Sequence, residues 1–155
     1  MKAELKYPIF SFVKNDNMVY VFYRDKDNKT TNIEIFKKYK FKGIVIIDSS
    51  GMKYIIKRAY KTKWLGISGY FTGMQGRVFL VDFEYEDEIE QISLDELKEM
   101  ILNRYPKSRW FHSAWVDVNE FKEEMDKCTT FEELARVVGG PPPSSNFILR
   151  LIRGY

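Results

Sequence analysis

Apolar and polar positions along the chain change their period near residue 92. Before it, apolar residues come in short runs with strand character. After it, they recur every three or four residues, as on one face of a helix. Ile9 to Val13 and Met18 to Tyr23 are rich in Val, Phe and Tyr and flank the polar stretch Lys14-Asn15-Asp16-Asn17, which predicts a β-hairpin. Pro8 opens the first strand, where a missing N–H is tolerated. Asp25-Lys26-Asp27-Asn28 has turn composition. Residues 32–40 fit two periods. Ile33, Phe36 and Lys37 recur at helical spacing, while Ile33, Ile35 and Lys37 alternate. A cap at Thr31 or Asn32 and the terminal Lys-Lys-Tyr-Lys favour a short helix.

The continuous apolar run Ile44 to Ile47 within Gly43–Ile47 marks a strand covered on both faces. Asp48-Ser49-Ser50-Gly51 supplies turn residues, with Gly available for a positive φ. Met52 to Tyr60 returns as a strand. On it Tyr54, Ile56 and Arg58 alternate with Lys53, Ile55 and Lys57, and either face could be the buried one. Arg77 to Tyr85 alternates most clearly. Phe79, Val81, Phe83 and Tyr85 are expected to face the core, and Asp82, Glu84 and Glu86 a solvated face.

Ser93-Leu94-Asp95-Glu96 is a capping box, opening a helix to about Arg104 that Pro106 keeps from continuing. Its buried face is expected to hold Leu94, Leu97, Ile101 and Met100. Asp117-Val118-Asn119-Glu120 opens a second helix to about Lys127, with Val118, Phe121 and Met125 as its apolar stripe. Thr130-Phe131-Glu132-Glu133 opens a third, ending at Gly139-Gly140. Pro141 to Ser145 reads as a stiff turn. In the tail NFILRLIRGY, Phe147, Ile148, Leu151 and Ile152 share one helical face, expected to dock on the domain; a partner-binding tail is the alternative. The pattern predicts one α+β domain over residues 1–155: an N-terminal antiparallel sheet of about five strands, with three to four C-terminal helices packed on one face.

Residues 61–85 hold the least ordinary stretch. Gly66, Gly69, Gly73 and Gly76 alternate with Trp64, Tyr70, Phe71 and Met74. Four glycines would cost a helix about 3–4 kcal/mol, so a wide loop or a bulged strand is expected. It lacks the spacing of a phosphate-binding loop. Gly66-Ile67-Ser68-Gly69 and Gly73-Met74-Gln75-Gly76 satisfy a bare GxxG, but a strand follows where a nucleic-acid clamp needs a helix. The aromatics either fold back over the sheet or, together with Lys57, Arg58 and Lys61, form a contact surface for a partner.

Size and composition narrow the class. A chain of 155 residues buries ample surface for one core. Twelve Phe, ten Tyr and three Trp give an aromatic-rich interior. There is no run of about 18 apolar residues to span a membrane, and the start MKAELKYPIF lacks the apolar core of a leader. The single Cys128 forms no intramolecular disulfide, so a cytoplasmic location is expected. The net charge of +3 hides an asymmetry: residues 1–63 carry 15 Lys+Arg against 6 Asp+Glu, and residues 64–155 carry 10 against 16. That split predicts either a dipolar surface suited to a charged protein partner or, once folded, an ordinary mixed one.

Candidate chemistry is sparse. His112, flanked by aromatics, has no second His or Cys at metal-ligand spacing, so neither zinc nor general-base chemistry is expected. Cys128 precedes a helix cap that could lower its pKa, though a buried idle thiol is the simpler expectation. The acidic run from Asp82 to Glu90 lacks a calcium-loop pattern. No enzyme activity, cofactor or metal is expected.

The order of motifs resembles that of small bacterial immunity-like proteins encoded beside toxin genes. The residues carrying the resemblance are Tyr7-Pro8-Ile9, Phe41-Lys42-Gly43 leading to Asp48-Ser49-Ser50-Gly51, and Gly76-Arg77-Val78-Phe79-Leu80-Val81-Asp82-Phe83-Glu84. Ile92-Ser93-Leu94-Asp95-Glu96-Leu97-Lys98 and Thr129-Thr130-Phe131-Glu132-Glu133-Leu134 complete the set. The resemblance implies an α+β protein that binds and neutralises a cognate toxin, and it assigns no functional residues. The alternative function is nucleic-acid binding through Lys53, Lys57, Arg58, Lys61 and Arg77 with Trp64 and Tyr70.

Overall fold

The structure, a computed structural model, describes residues 1–39, 41–64 and 78–140. The chain is α+β. Its strands are β1 (Ile9–Phe12), β2 (Val19–Phe22), β3 (Thr30–Asn32), β4 (Val45–Ile47), β5 (Met52–Trp64), β6 (Val78–Tyr85) and β7 (Glu90–Gln91). They form one antiparallel sheet in the order β2-β1-β4-β5-β6-β3, with β7 beside β5. The helices are α1 (Asp25–Lys29), α2 (Ile33–Tyr39), α3 (Leu94–Leu102), α4 (Phe111–Ala114), α5 (Val118–Asp126) and α6 (Phe131–Gly139).

This arrangement corrects two expectations. Among the described residues the sheet has seven strands rather than about five, and helices lie on both of its faces rather than one. The difference originates in residues 25–39 and in β7, which pairs with the start of β5. The Asp25–Asn28 stretch, with turn composition, winds into α1, held by the Arg24–Asp27 fork at 2.7 and 3.0 Å and by Lys29 Nζ to Asp25 at 3.0 Å. Thr30, Thr31 and Asn32 then pair with Leu80, Phe79 and Val78 and close the sheet's edge before α2 begins.

Alternation along β1 and β4 sends side chains into two cores. Phe10, Phe12 and Ile47 pack under the C-terminal helices with Leu97, Ile101, Phe121, Met125 and Leu134. Ile9, Ile44 and Ile46 face the other way, toward Tyr54, Ile56, Phe79, Val81, Phe83 and Tyr85. Phe36 of α2 reaches this second core edge-on to Phe79 at 5.5 Å, and Met1, Ala3 and Leu5 pack against it too. As the alternation of β6 predicts, Phe79, Val81, Phe83 and Tyr85 are all buried.

On β5 the buried face is the one holding Tyr54 and Ile56. Register shifts between Ile56 and Arg58 and between Lys61 and Lys63 break the alternation, which strict period-two reading cannot foresee. The DSSG turn closes as expected. Asp48 Oδ1 accepts from the Ser50 N–H (2.9 Å), the Ser50 hydroxyl (2.6 Å) and the Met52 N–H (3.1 Å), and Oδ2 accepts from the Lys6 N–H (3.2 Å). Gly51 adopts φ +82°, and a Cβ there would fall 2.7 Å from the Ile92 carbonyl oxygen.

All three N-caps form. Ser93 and Glu96 make the reciprocal capping box, Asp117 accepts from the Glu120 N–H, and Thr130 from the Glu133 N–H. One stripe differs: Phe121 and Met125 are buried, but Val118 is exposed because the first turn of α5 projects past the core. The tail after Gly140 lies outside the described residues.

Candidate functional site

The basic residues expected at a contact surface do gather on β5. With the register shift at Lys57, two consecutive side chains that would otherwise point to opposite faces both approach Glu84 of β6. Arg58 Nε donates to Glu84 Oε2 at 2.5 Å, and Lys57 Nζ stands 3.8 Å from Oε1. The Arg58 hydrogen bond holds the Glu84 carboxyl below its ordinary pKa. Lys61 is exposed, with its ammonium 5.9 Å from the centre of the Phe79 ring. Trp64 ends β5 and pairs through its backbone with Phe79. Tyr70, Phe71 and Met74 lie outside the described residues.

One strand on, Asp82 takes Lys2 at 2.5 Å and Lys29 at 3.3 Å. Burial alone would raise this carboxyl, but Lys2, the Phe83 N–H and Lys29 outweigh it and hold the pKa below the usual value. Lys53 meets Glu90 at 2.8 Å. The basic strand β5 and the acidic strand β6 are thus neighbours, so much of the charge split along the sequence is interleaved across one ladder. Asp82 and Glu84 are ion-paired there, not simply solvated.

A second surface escaped the sequence reading. Tyr105, Phe111 and Phe121 form a buried triangle of edge-on rings 5.3–5.4 Å apart, and Trp115 leans on Phe121 at 5.0 Å. Outside this support, Trp110 is 54% exposed, Val116 84% and Val118 43%. The Arg109 guanidinium lies 4.8 Å from the centre of a Trp110 ring. Beside them runs a groove of about 620 Å³, lined by β2 from Val19 to Phe22, by Trp110, Ala114 and Trp115, and by the end of α6. Among the described strands β2 is an edge of the sheet. The helices next to this surface carry exposed charge of both signs: Asp117, Glu120, Glu123, Asp126, Glu132 and Glu133, with Lys122, Lys127 and Arg136. Only the run Trp110-Phe111…Trp115-Val116, with more large apolar residues than one short helix can bury, signalled this in the sequence.

The two chemically distinctive side chains stand in ordinary surroundings. His112 is exposed, its ring edge-on to Phe111. Cys128 is buried, and its thiol donates to the Glu124 carbonyl at 3.4 Å. Burial pushes the thiol pKa up, Glu133 and Glu124 add to it, and Lys98 offsets part. That is opposite to the lowering a helix cap could bring. Among the described residues no group of three or more His, Cys, Asp or Glu is placed to hold a metal ion. No helix among them is long and apolar enough to cross a membrane. Comparison with known protein families, with curated proteins and with solved structures yields no match.

Proposed function

We propose that this protein is a non-enzymatic protein-binding module, an immunity-type protein that neutralises a bacterial toxin encoded by a neighbouring gene through stoichiometric occlusion. The observation that carries the reading is the exposed Trp110 at the groove along β2, with Val116 and Val118 exposed a few residues on. Contiguous exposed apolar side chains on a soluble chain mark interaction surfaces, and Trp and Arg are the residues most enriched among binding anchors. The groove fits an extended segment that adds along β2 and seats an apolar side chain against Trp110 and Trp115. On this reading the anchor is Trp110, at the start of α4, rather than the Lys57–Arg58–Lys61 face, whose charges are partly answered by Glu84.

Co-expression with the product of the adjacent open reading frame, followed by a pull-down and a growth-protection assay, tests the proposal. The two chains should copurify in equal amounts and the toxin should be silenced. A neighbour that neither binds nor is neutralised overturns it. Nucleic-acid binding through β5 is the rival, and it predicts steeply salt-dependent titrations with oligonucleotides. The Asp82 and Glu84 carboxylates on the adjoining strand oppose that reading.

A further inference from the structure

The concave side of the sheet holds a cleft of about 370 Å³ that the protein-binding reading does not use. It lies between the two ends of the sheet. Tyr20 and Phe22 of β2 and Thr30 and Thr31 of β3 line it, α1 contributes Asp27 and Asn28, and α2 contributes Ile35. Its apolar wall is Phe41, Ile44, Ile56 and Phe83. Phe41 holds φ +56°, the left-handed region that L residues seldom adopt, and its ring stands 5.6 Å from Phe83.

Two polar side chains facing this cleft are more than nine-tenths buried and have unspent hydrogen-bonding capacity. Ser11 is 5% exposed, and no hydrogen bond within the described residues occupies its hydroxyl. It sits between Phe10 and Phe12 in a strand that is otherwise entirely apolar. Asn28 is 9% exposed, and the single bond of its side chain is a long one, 3.4 Å from Nδ2 to the Tyr7 hydroxyl. Its amide oxygen receives no donor among the described residues. The Ser11 hydroxyl and the Asn28 amide oxygen therefore offer free hydrogen-bonding positions to a molecule that enters the cleft. Among the described residues no Lys or Arg lines the cleft, and the one carboxylate there, Asp27, is engaged by the Arg24 fork, so they offer an anionic ligand no counter-charge.

We infer that this cleft binds a compact, uncharged, largely apolar small molecule carrying one hydrogen-bonding group, which meets Ser11 and Asn28 while its apolar body lies against Phe41, Ile56 and Phe83. The volume is that of a small-ligand site, and apolar walls with a few convergent polar groups are how such sites are built. Ile35, at the exposed rim, borders the mouth.

The test is a fluorescence titration of the full chain with the neutral probe N-phenyl-1-naphthylamine, run beside the anionic 8-anilinonaphthalene-1-sulfonate. The neutral probe should bind saturably with one site per chain, and the anionic one at least about tenfold more weakly. Ile35→Trp, a change at the exposed rim that leaves the cores intact, should abolish binding. Ser11→Ala should weaken binding about fivefold, the worth of one hydrogen bond. Absence of saturable binding overturns the inference. So does binding indifferent to Ile35→Trp, or equal binding of the two probes, which would indicate a general apolar surface.

Discussion

Gly139 of α6 lies so close to Val21 of β2 that a Cβ on it would sit 2.5 Å from the Val21 Cβ. The end of the last helix is therefore seated on the edge strand by the absence of a side chain. Gly139→Ala would ordinarily favour a helix. Here it should destabilise the fold by about 1–3 kcal/mol, because the contact is with atoms fixed near the backbone. Urea unfolding measures this. Val21→Ala in the same chain should recover part of the loss, and a raised midpoint for Gly139→Ala alone would show that the approach is not close.

Asp48 is 1% exposed, and its carboxylate satisfies three N–H groups and one hydroxyl. Asp48→Ala leaves those donors without an acceptor inside the fold. The expected loss is about 2–4 kcal/mol, at the upper end for a single polar side chain. Asp48→Asn keeps one acceptor oxygen but turns an amide NH2 toward the Lys6 N–H, so its loss should be smaller. Equal midpoints for the alanine variant and the parent in urea would contradict this role.

High pH should weaken the fold. Burial raises the phenol pKa of Tyr7, Tyr23, Tyr54, Tyr85 and Tyr105 above the ordinary value of 10.0. Below about pH 10 these phenols are protonated in both the folded and the unfolded chain, and the contribution is fully present. Above it, the unfolded chain loses protons that the folded one retains, so stability falls as pH rises toward the folded-state values. Urea midpoints should drop steadily above about pH 10. A flat midpoint across that range would show that these rings ionise freely in the fold.

Trp110 is more than half exposed, so Trp110→Ala should change stability by no more than about 0.5 kcal/mol. If Trp110 is the anchor, the same change should weaken binding to the copurifying partner by about 2 kcal/mol or more, roughly thirtyfold. Calorimetry on the purified complex reads the second number and thermal unfolding the first. A variant that binds as the parent does moves the contact surface elsewhere.

Features fixed by local chemistry were legible in the sequence. The caps at Ser93, Asp117 and Thr130 depend on residues three apart, and the alternation of β6 depends on its own side chains. What stayed hidden depends on the rest of the molecule. Asp25–Lys29 has no side-chain cap bond and reads as a turn; ion pairs, including Lys29 with the distant Asp82, hold it as a helix. Thr30–Asn32 is too short for a strand signal and exists because β6 offers an edge. The shift at Lys57 follows from β5 having to pair with β4 and β7 through its first half and with β6 through its second. Val118 has the spacing of a core residue, and only the position of α5 at the margin of the core exposes it. The basic face around Lys57, Arg58 and Lys61 was legible as a cluster, but its partial neutralisation by Glu84 is a cross-strand fact.

β1 has no polar side, since all four of its residues are buried and successive ones enter different cores. A strand with one wet face is held in register by the penalty of burying charge, and this one is not. Sliding it by one position would exchange aliphatic and aromatic residues between two apolar compartments. Only Ser11 would then be misplaced, carried under the helices where no cleft receives its hydroxyl. Ser11 therefore also marks the alignment of the central strand. Because β1 and β4 wall both compartments, neither core can come apart alone, and the chain should melt in a single step.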